Sequence, residues 1–94
     1  MRRAALLLAF LTSACAATPT PTRDELAQAL RPFGQPDVAP TDITHIACQS
    51  LEADPTEYAC RWRQRDGRTW QGWQSYLAVS GDGWQLIDDP ERRP

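Results

Sequence analysis

Tyr58-Ala59-Cys60-Arg61-Trp62-Arg63 alternates Tyr, Cys and Trp with the small Ala59 and two arginines, and Asp66-Gly67 follows before Trp70. Strict alternation is the mark of a half-buried antiparallel strand, with one face on a core and one in water. Asp-Gly is a preferred pair for a two-residue type I′ hairpin turn. A turn centred there sets the register downstream: residue 63 faces 70, 60 faces 73 and 58 faces 75. Directly opposed residues share a sheet face, so each pairing fixes which side chains meet.

Two further hairpins follow from the same reasoning. Placing Cys48 opposite Cys60 across the Asp54-Pro55 loop brings Ile46 to Trp62 and Ser50 to Tyr58. Ser80-Gly81-Asp82-Gly83 reads as a turn that puts Val79 opposite Trp84 and Leu77 opposite Leu86. The three turns agree on one apolar face made of Ile46, Cys48, Tyr58, Cys60, Trp62, Trp73, Leu77, Val79, Trp84 and Leu86. Agreement among independent local signals is what a sequence with one fold should give.

Upstream, Thr22-Arg23-Asp24-Glu25 matches the capping box, in which the first hydroxyl and the fourth carboxylate satisfy each other's backbone N-H groups. A helix starts there, with Leu26, Leu30 and Phe33 at helical spacing, and Pro32 and Gly34 end it soon after Arg31. So short a helix is stable only when docked. Residues 35–42, with Pro36 and Pro40, read as a loop. The fold class is therefore α+β: one short N-terminal helix packed on a four-stranded antiparallel meander sheet, spanning residues 22–90 and followed by a frayed tail at 91–94.

A unit of about 70 residues buries little of its surface and usually needs a staple. Cys48 and Cys60 supply one. A disulfide requires an oxidising compartment, and the N-terminus is consistent with export. Met1-Arg2-Arg3 is a positive start, and Ala4 to Leu11 is an uncharged apolar run too short to span a bilayer. Residues 1–14 thus read as a signal peptide.

Leu11-Thr12-Ser13-Ala14-Cys15 resembles the lipobox of bacterial lipoproteins. The resemblance covers these residues only. It implies lipid on Cys15 and a membrane partner through that lipid. With Ala16 in the second mature position, it also implies an outer-membrane lipoprotein facing the periplasm. Ordinary cleavage after Ala16, which would give a soluble periplasmic or secreted protein, is the alternative. Residues 15–21 then form a lipid-anchored, Pro/Thr-rich tether, whose last six residues reach about 20 Å.

Loss of Arg2 and Arg3 leaves eight basic residues against twelve acidic, a net charge of −4. An acidic chain of this kind does not read as a nucleic-acid binder. No cofactor or metal signature is present in the sequence. Cys48 and Cys60 are too isolated from other ligands for a zinc site, and Asp82 between glycines is explained by its turn. His45 is the only side chain with an ordinary pKa near neutrality, and the sequence gives it no nucleophile or orienting partner, so no catalytic residue is assigned.

The face opposite the apolar one carries His45, Ala47, Arg61, Arg63, Trp70, Gly72, Tyr76 and Ile87. The register above places Arg63 between His45 and Trp70, which suits a cation-π stack, and leaves a shallow gap at Gly72 beside Arg61. Arginine and aromatic side chains are enriched at the centres of interfaces. His45, Arg61, Arg63, Trp70 and Tyr76 are thus the expected partner surface. The expected function is a non-catalytic binding or structural module for an envelope protein or cell-wall component. The alternative is an inhibitor of a secreted hydrolase such as a lysozyme or protease.

Overall fold

The computed structural model of the chain describes residues 18–94. The signal peptide and Cys15 of the sequence reading lie outside the described residues. Helix α1 (Arg23–Leu30) begins on Thr22, whose Oγ1 accepts from the Glu25 N-H at 3.1 Å while Glu25 Oε1 accepts from the Thr22 N-H at 2.8 Å. The capping box is complete. Pro21, in the tether of the sequence reading, is buried at the position before the cap, and Leu26 is buried at the fourth helical position. These are the two sites of a hydrophobic staple. A 3₁₀ turn (Arg31–Phe33) follows, and Gly34 ends it in the left-handed region at φ 84°.

After a second 3₁₀ turn (Pro40–Asp42) come β1 (Ile43–Ser50), β2 (Glu57–Asp66), β3 (Thr69–Ser80) and β4 (Gly83–Leu86), hydrogen-bonded in chain order as an antiparallel meander. α1 contacts β4 and β1, and Leu26 and Leu30 share one buried cluster with Ile43, Tyr58, Cys60, Trp62, Leu77 and Leu86. Alternation along β2 is as expected: Tyr58, Cys60, Trp62 and Gln64 are buried, while Arg61, Arg63 and Arg65 are exposed. The Cys48–Cys60 disulfide joins β1 to β2 at directly opposed positions. Ser50 faces Tyr58, Val79 faces Trp84 and Leu77 faces Leu86, as the sequence predicts.

The β2–β3 hairpin differs. Its two loop residues are Gly67 and Arg68, with Asp66 paired to Thr69, so Arg63 faces Gly72, Cys60 faces Ser75 and Tyr58 faces Leu77. Gly67 takes φ 66° and Arg68 does not have a positive φ. Glycine at the first central position is the pattern of a type II′ turn rather than I′. The whole register is thereby displaced by two residues from the expectation. Because side chains alternate with period two, this displacement leaves every residue on its expected face and changes only its neighbours.

β1 departs in another way. Thr44 pairs with Arg63 and Ala47 with Arg61, so His45 and Ile46 together stand opposite Trp62 in a β-bulge. His45 absorbs the extra residue at φ 56°, the only positive φ at a non-glycine position among the described residues. The bulge reverses the parity of the strand. Ile43 turns inward to full burial against the core, while Ile46 and Cys48 still pack on it.

The expected frayed tail also pairs. Glu91 and Arg92 form β5 (Glu91–Arg92) against Gln74 and Trp73 of β3, and the Arg93 N-H donates to the Gly72 carbonyl at 2.8 Å. β4 and β5 thus occupy one edge of β3 in succession, with Ile87-Asp88-Asp89-Pro90 between them. The Ser75 hydroxyl donates to the Asp88 carbonyl at 2.8 Å and holds that intervening segment to β3. Two buried polar groups in the core are likewise satisfied: Trp62 Nε1 donates to Gln64 Oε1 at 2.9 Å, and the Gln64 amide donates to Gln35.

Candidate functional site

The sheet face away from the core is arranged in rows by the strand pairing. Nearest the β2–β3 turn, Arg65 stands beside Trp70. The next row runs Thr44, Arg63, Gly72, and Arg93 continues it through its backbone bond to Gly72. Then come Ala47, Arg61, Gln74 and Glu91, and after them Gln49, Ala59 and Tyr76. Arg61, Arg63, Trp70 and Tyr76 therefore do share one face, and Tyr76 is 46% exposed. His45 is exposed on the bulge at the free edge of β1, and among the described residues no hydroxyl or carboxylate is hydrogen-bonded to it.

Two expected contacts are replaced. The guanidinium over the Trp70 ring belongs to Arg65, at 5.4 Å from the centroid, while Arg63 Nη2 donates to the Trp70 carbonyl at 3.3 Å. The two-residue displacement of the hairpin is the reason. The gap expected at Gly72 is filled: Arg93 packs over it, at a distance where a Cβ on residue 72 would be in ordinary contact, 3.5 Å from Arg93 Cβ. On the opposite face, Arg92 lies over the Trp73 ring at 5.9 Å.

An open hollow of about 280 Å³ lies farther along the sheet, floored by Ala47 and Ala59. Two small side chains on adjacent strands create the depression. Arg61, Gln74, Tyr76 and Asp88 form much of its wall, and Asp89 and Glu91 close one side. The volume falls just short of the range usual for drug-sized ligands, so one sugar ring or one amino-acid side chain is a better match than a nucleotide. Guanidinium, amide, phenol and carboxylate groups surround it, a set suited to hydrogen-bonded recognition.

Charge is divided along this face. Arg63, Arg65 and Arg93 lie toward the β2–β3 turn, Arg61 and Glu91 share the next row, and Asp88 and Asp89 stand beside the hollow with them. Glu57, on the same face of β2, is held above its ordinary pKa of 4.5, chiefly by desolvation and then by the charges of Asp54 and Asp88. Among the described residues the one ion pair joins Arg65 to Asp42 at 3.0 Å. Asp42 lies below its ordinary 3.8 because it accepts from the Ala39 N-H first and from Arg65 second. Arg61, Arg63 and Arg93 have no carboxylate partner among the described residues.

No family model, curated protein or solved structure matches this chain. The residues themselves therefore carry the functional reading. Sequence reasoning named Arg61, Arg63, Trp70 and Tyr76 but passed over Arg65, Gln74 and Arg93. Arg65 and Gln74 were available from the alternation of their strands. Arg93 was not, because a two-residue strand leaves no periodic signal. No helix among the described residues is long and apolar enough to cross a membrane.

Proposed function

We propose that this chain is a non-catalytic module of the bacterial cell envelope. It is exported, lipid-anchored through Cys15 at the outer membrane, and binds an envelope protein or cell-wall component with its outer sheet face. The observation that carries this reading is the division of labour between the two faces. One face buries Trp62, Leu77 and Ile43, while the other carries Arg61, Arg63, Trp70 and Tyr76, with Arg61 and Tyr76 in the wall of a hollow. Cores of this size need every apolar side chain they have, so aromatic residues kept outside are better explained by binding than by stability. The Cys48–Cys60 bridge fits an oxidising compartment.

Chemical cross-linking of the anchored protein in isolated cell envelopes, followed by pull-down, tests the binding claim. The double variant Arg63→Ala/Trp70→Ala, with an unchanged circular dichroism spectrum, is expected to lose the partners that the native protein captures. An unchanged set of captured partners would refute this reading. Mass spectrometry of the mature chain tests the anchor: diacylglycerol on Cys15 is expected, and an unmodified N-terminus at Ala17 would replace the anchored form by a soluble one.

A further inference from the structure

We infer that the arginine stripe at the turn end of the outer face docks on the phosphate-bearing headgroups of a membrane surface. This rests on the outer face being the binding surface of an anchored protein, as proposed above. The chain carries twelve acidic and ten basic residues, and four of its arginines, Arg61, Arg63, Arg65 and Arg93, share the outer face. Arg61 and Arg63 occupy successive outward positions of β2, so their stems are about 7 Å apart. Arg93 continues the Arg63 row across Gly72. All three are exposed and lack a carboxylate partner among the described residues.

The form of the stripe selects among anions. A single small phosphate is normally held in a concave cradle where several donors converge. These guanidiniums instead spread over two rows of an open sheet face, Arg61 in one and Arg63 with Arg93 in the next, an arrangement suited to several phosphates spread over a plane. Each planar guanidinium can bind a phosphate through two parallel N-H bonds. Trp70 lies at the same end, half-buried beside Arg65, and tryptophan favours the boundary between lipid and water. The carboxylates of Asp88 and Asp89 lie beyond the Arg61 row, away from the turn, and would be repelled by the same surface. The domain therefore docks with the Gly67-Arg68 turn leading. A tether with a reach of about 20 Å keeps the stripe close enough to find the bilayer, although the attraction itself acts only within about 10 Å.

Phenylglyoxal labelling of the full chain reconstituted in vesicles reads out this contact arginine by arginine. In phosphatidylglycerol-rich vesicles, labelling of Arg61, Arg63 and Arg93 is expected to fall about fivefold relative to pure phosphatidylcholine, and high salt restores it. Arg23 and Arg31, exposed at the two ends of the helix, serve as references that keep their reactivity. Equal labelling of the stripe in the two lipids would overturn the inference. So would equal protection by inorganic phosphate in phosphatidylcholine vesicles, which would make it a site for free anions. Should the labelling fail while Arg63→Ala/Trp70→Ala still abolishes partner capture, the outer-face reading survives and only the lipid assignment falls.

Discussion

Reducing the Cys48–Cys60 bridge should remove a large part of the stability of this domain. The two cysteines are separated by 12 positions. Closing a ring of that size restricts the unfolded chain by about 3 kcal/mol in the loop-entropy account. A domain of about 70 residues is typically stable by roughly 4 to 10 kcal/mol, so the bridge supplies between a third and most of the margin. Reduction is a cleaner perturbation than substitution here, because Cys60 is only 3% exposed and truncating it would add a cavity to the entropic loss. Urea unfolding followed by tryptophan fluorescence, with Trp62 buried in the core, reports both forms. With a urea slope of about 1 to 1.5 kcal/mol/M, the midpoint should fall by roughly 2 to 3 M on addition of reductant. The slope itself should rise, since the reduced unfolded chain exposes more surface. Coincident unfolding curves with both thiols shown to be free would refute the reasoning.

Other features of the fold give expectations of their own. Gly67→Ala, at φ 66°, should cost about 1 to 2 kcal/mol and lower the melting temperature by several degrees, whereas Arg68→Ala should leave it nearly unchanged; equal effects would contradict the type II′ turn. His45→Gly relieves a left-handed non-glycine residue and should raise stability by about 1 kcal/mol, read as an increase in melting temperature; an unchanged or lower value would contradict strain at this position. Gln64→Leu leaves Trp62 Nε1 buried without its acceptor and should cost roughly 1 to 3 kcal/mol in urea unfolding. Asp42 has a lowered folded-state pKa, so the stability it contributes is present above its ordinary 3.8 and is lost as pH falls through the folded value; Asp42→Asn should flatten the acid limb of the stability curve in that range, and a superimposable acid limb would exclude the contribution.

The outer face was legible as a set and obscure as a geometry. Arg61, Arg63, Trp70 and Tyr76 could be assigned to it because side-chain parity survives any even slip of register. Which arginine meets Trp70 could not, since that depends on whether the turn is centred on Asp66-Gly67 or Gly67-Arg68. Both pairs contain a glycine able to take a positive φ, and the sequence alone does not weigh one against the other. Arg93 was hidden for a different reason: β5 holds two residues, and its place is secured by the Gly72 carbonyl and the edge that β4 leaves vacant on β3.

The chain's own local chemistry determined the helix cap at Thr22, the alternation of β2, the Ser80–Gly83 turn and the pairing of Cys48 with Cys60. Each depends on residues close in sequence or on a covalent bond that only two thiols among the described residues can form. Tertiary structure decided the hairpin register, the bulge at His45 and the fifth strand. Ile43 shows why. Its odd position in β1 would turn it to solvent if the strand were regular, and only the space between α1, Gln64 and Trp62 makes the inward orientation worth a strained residue at His45. Burial of a large apolar side chain contributes about 1.5 to 3 kcal/mol, against roughly 1 to 2 kcal/mol for the left-handed backbone, and that difference exists only once the helix and sheet are together.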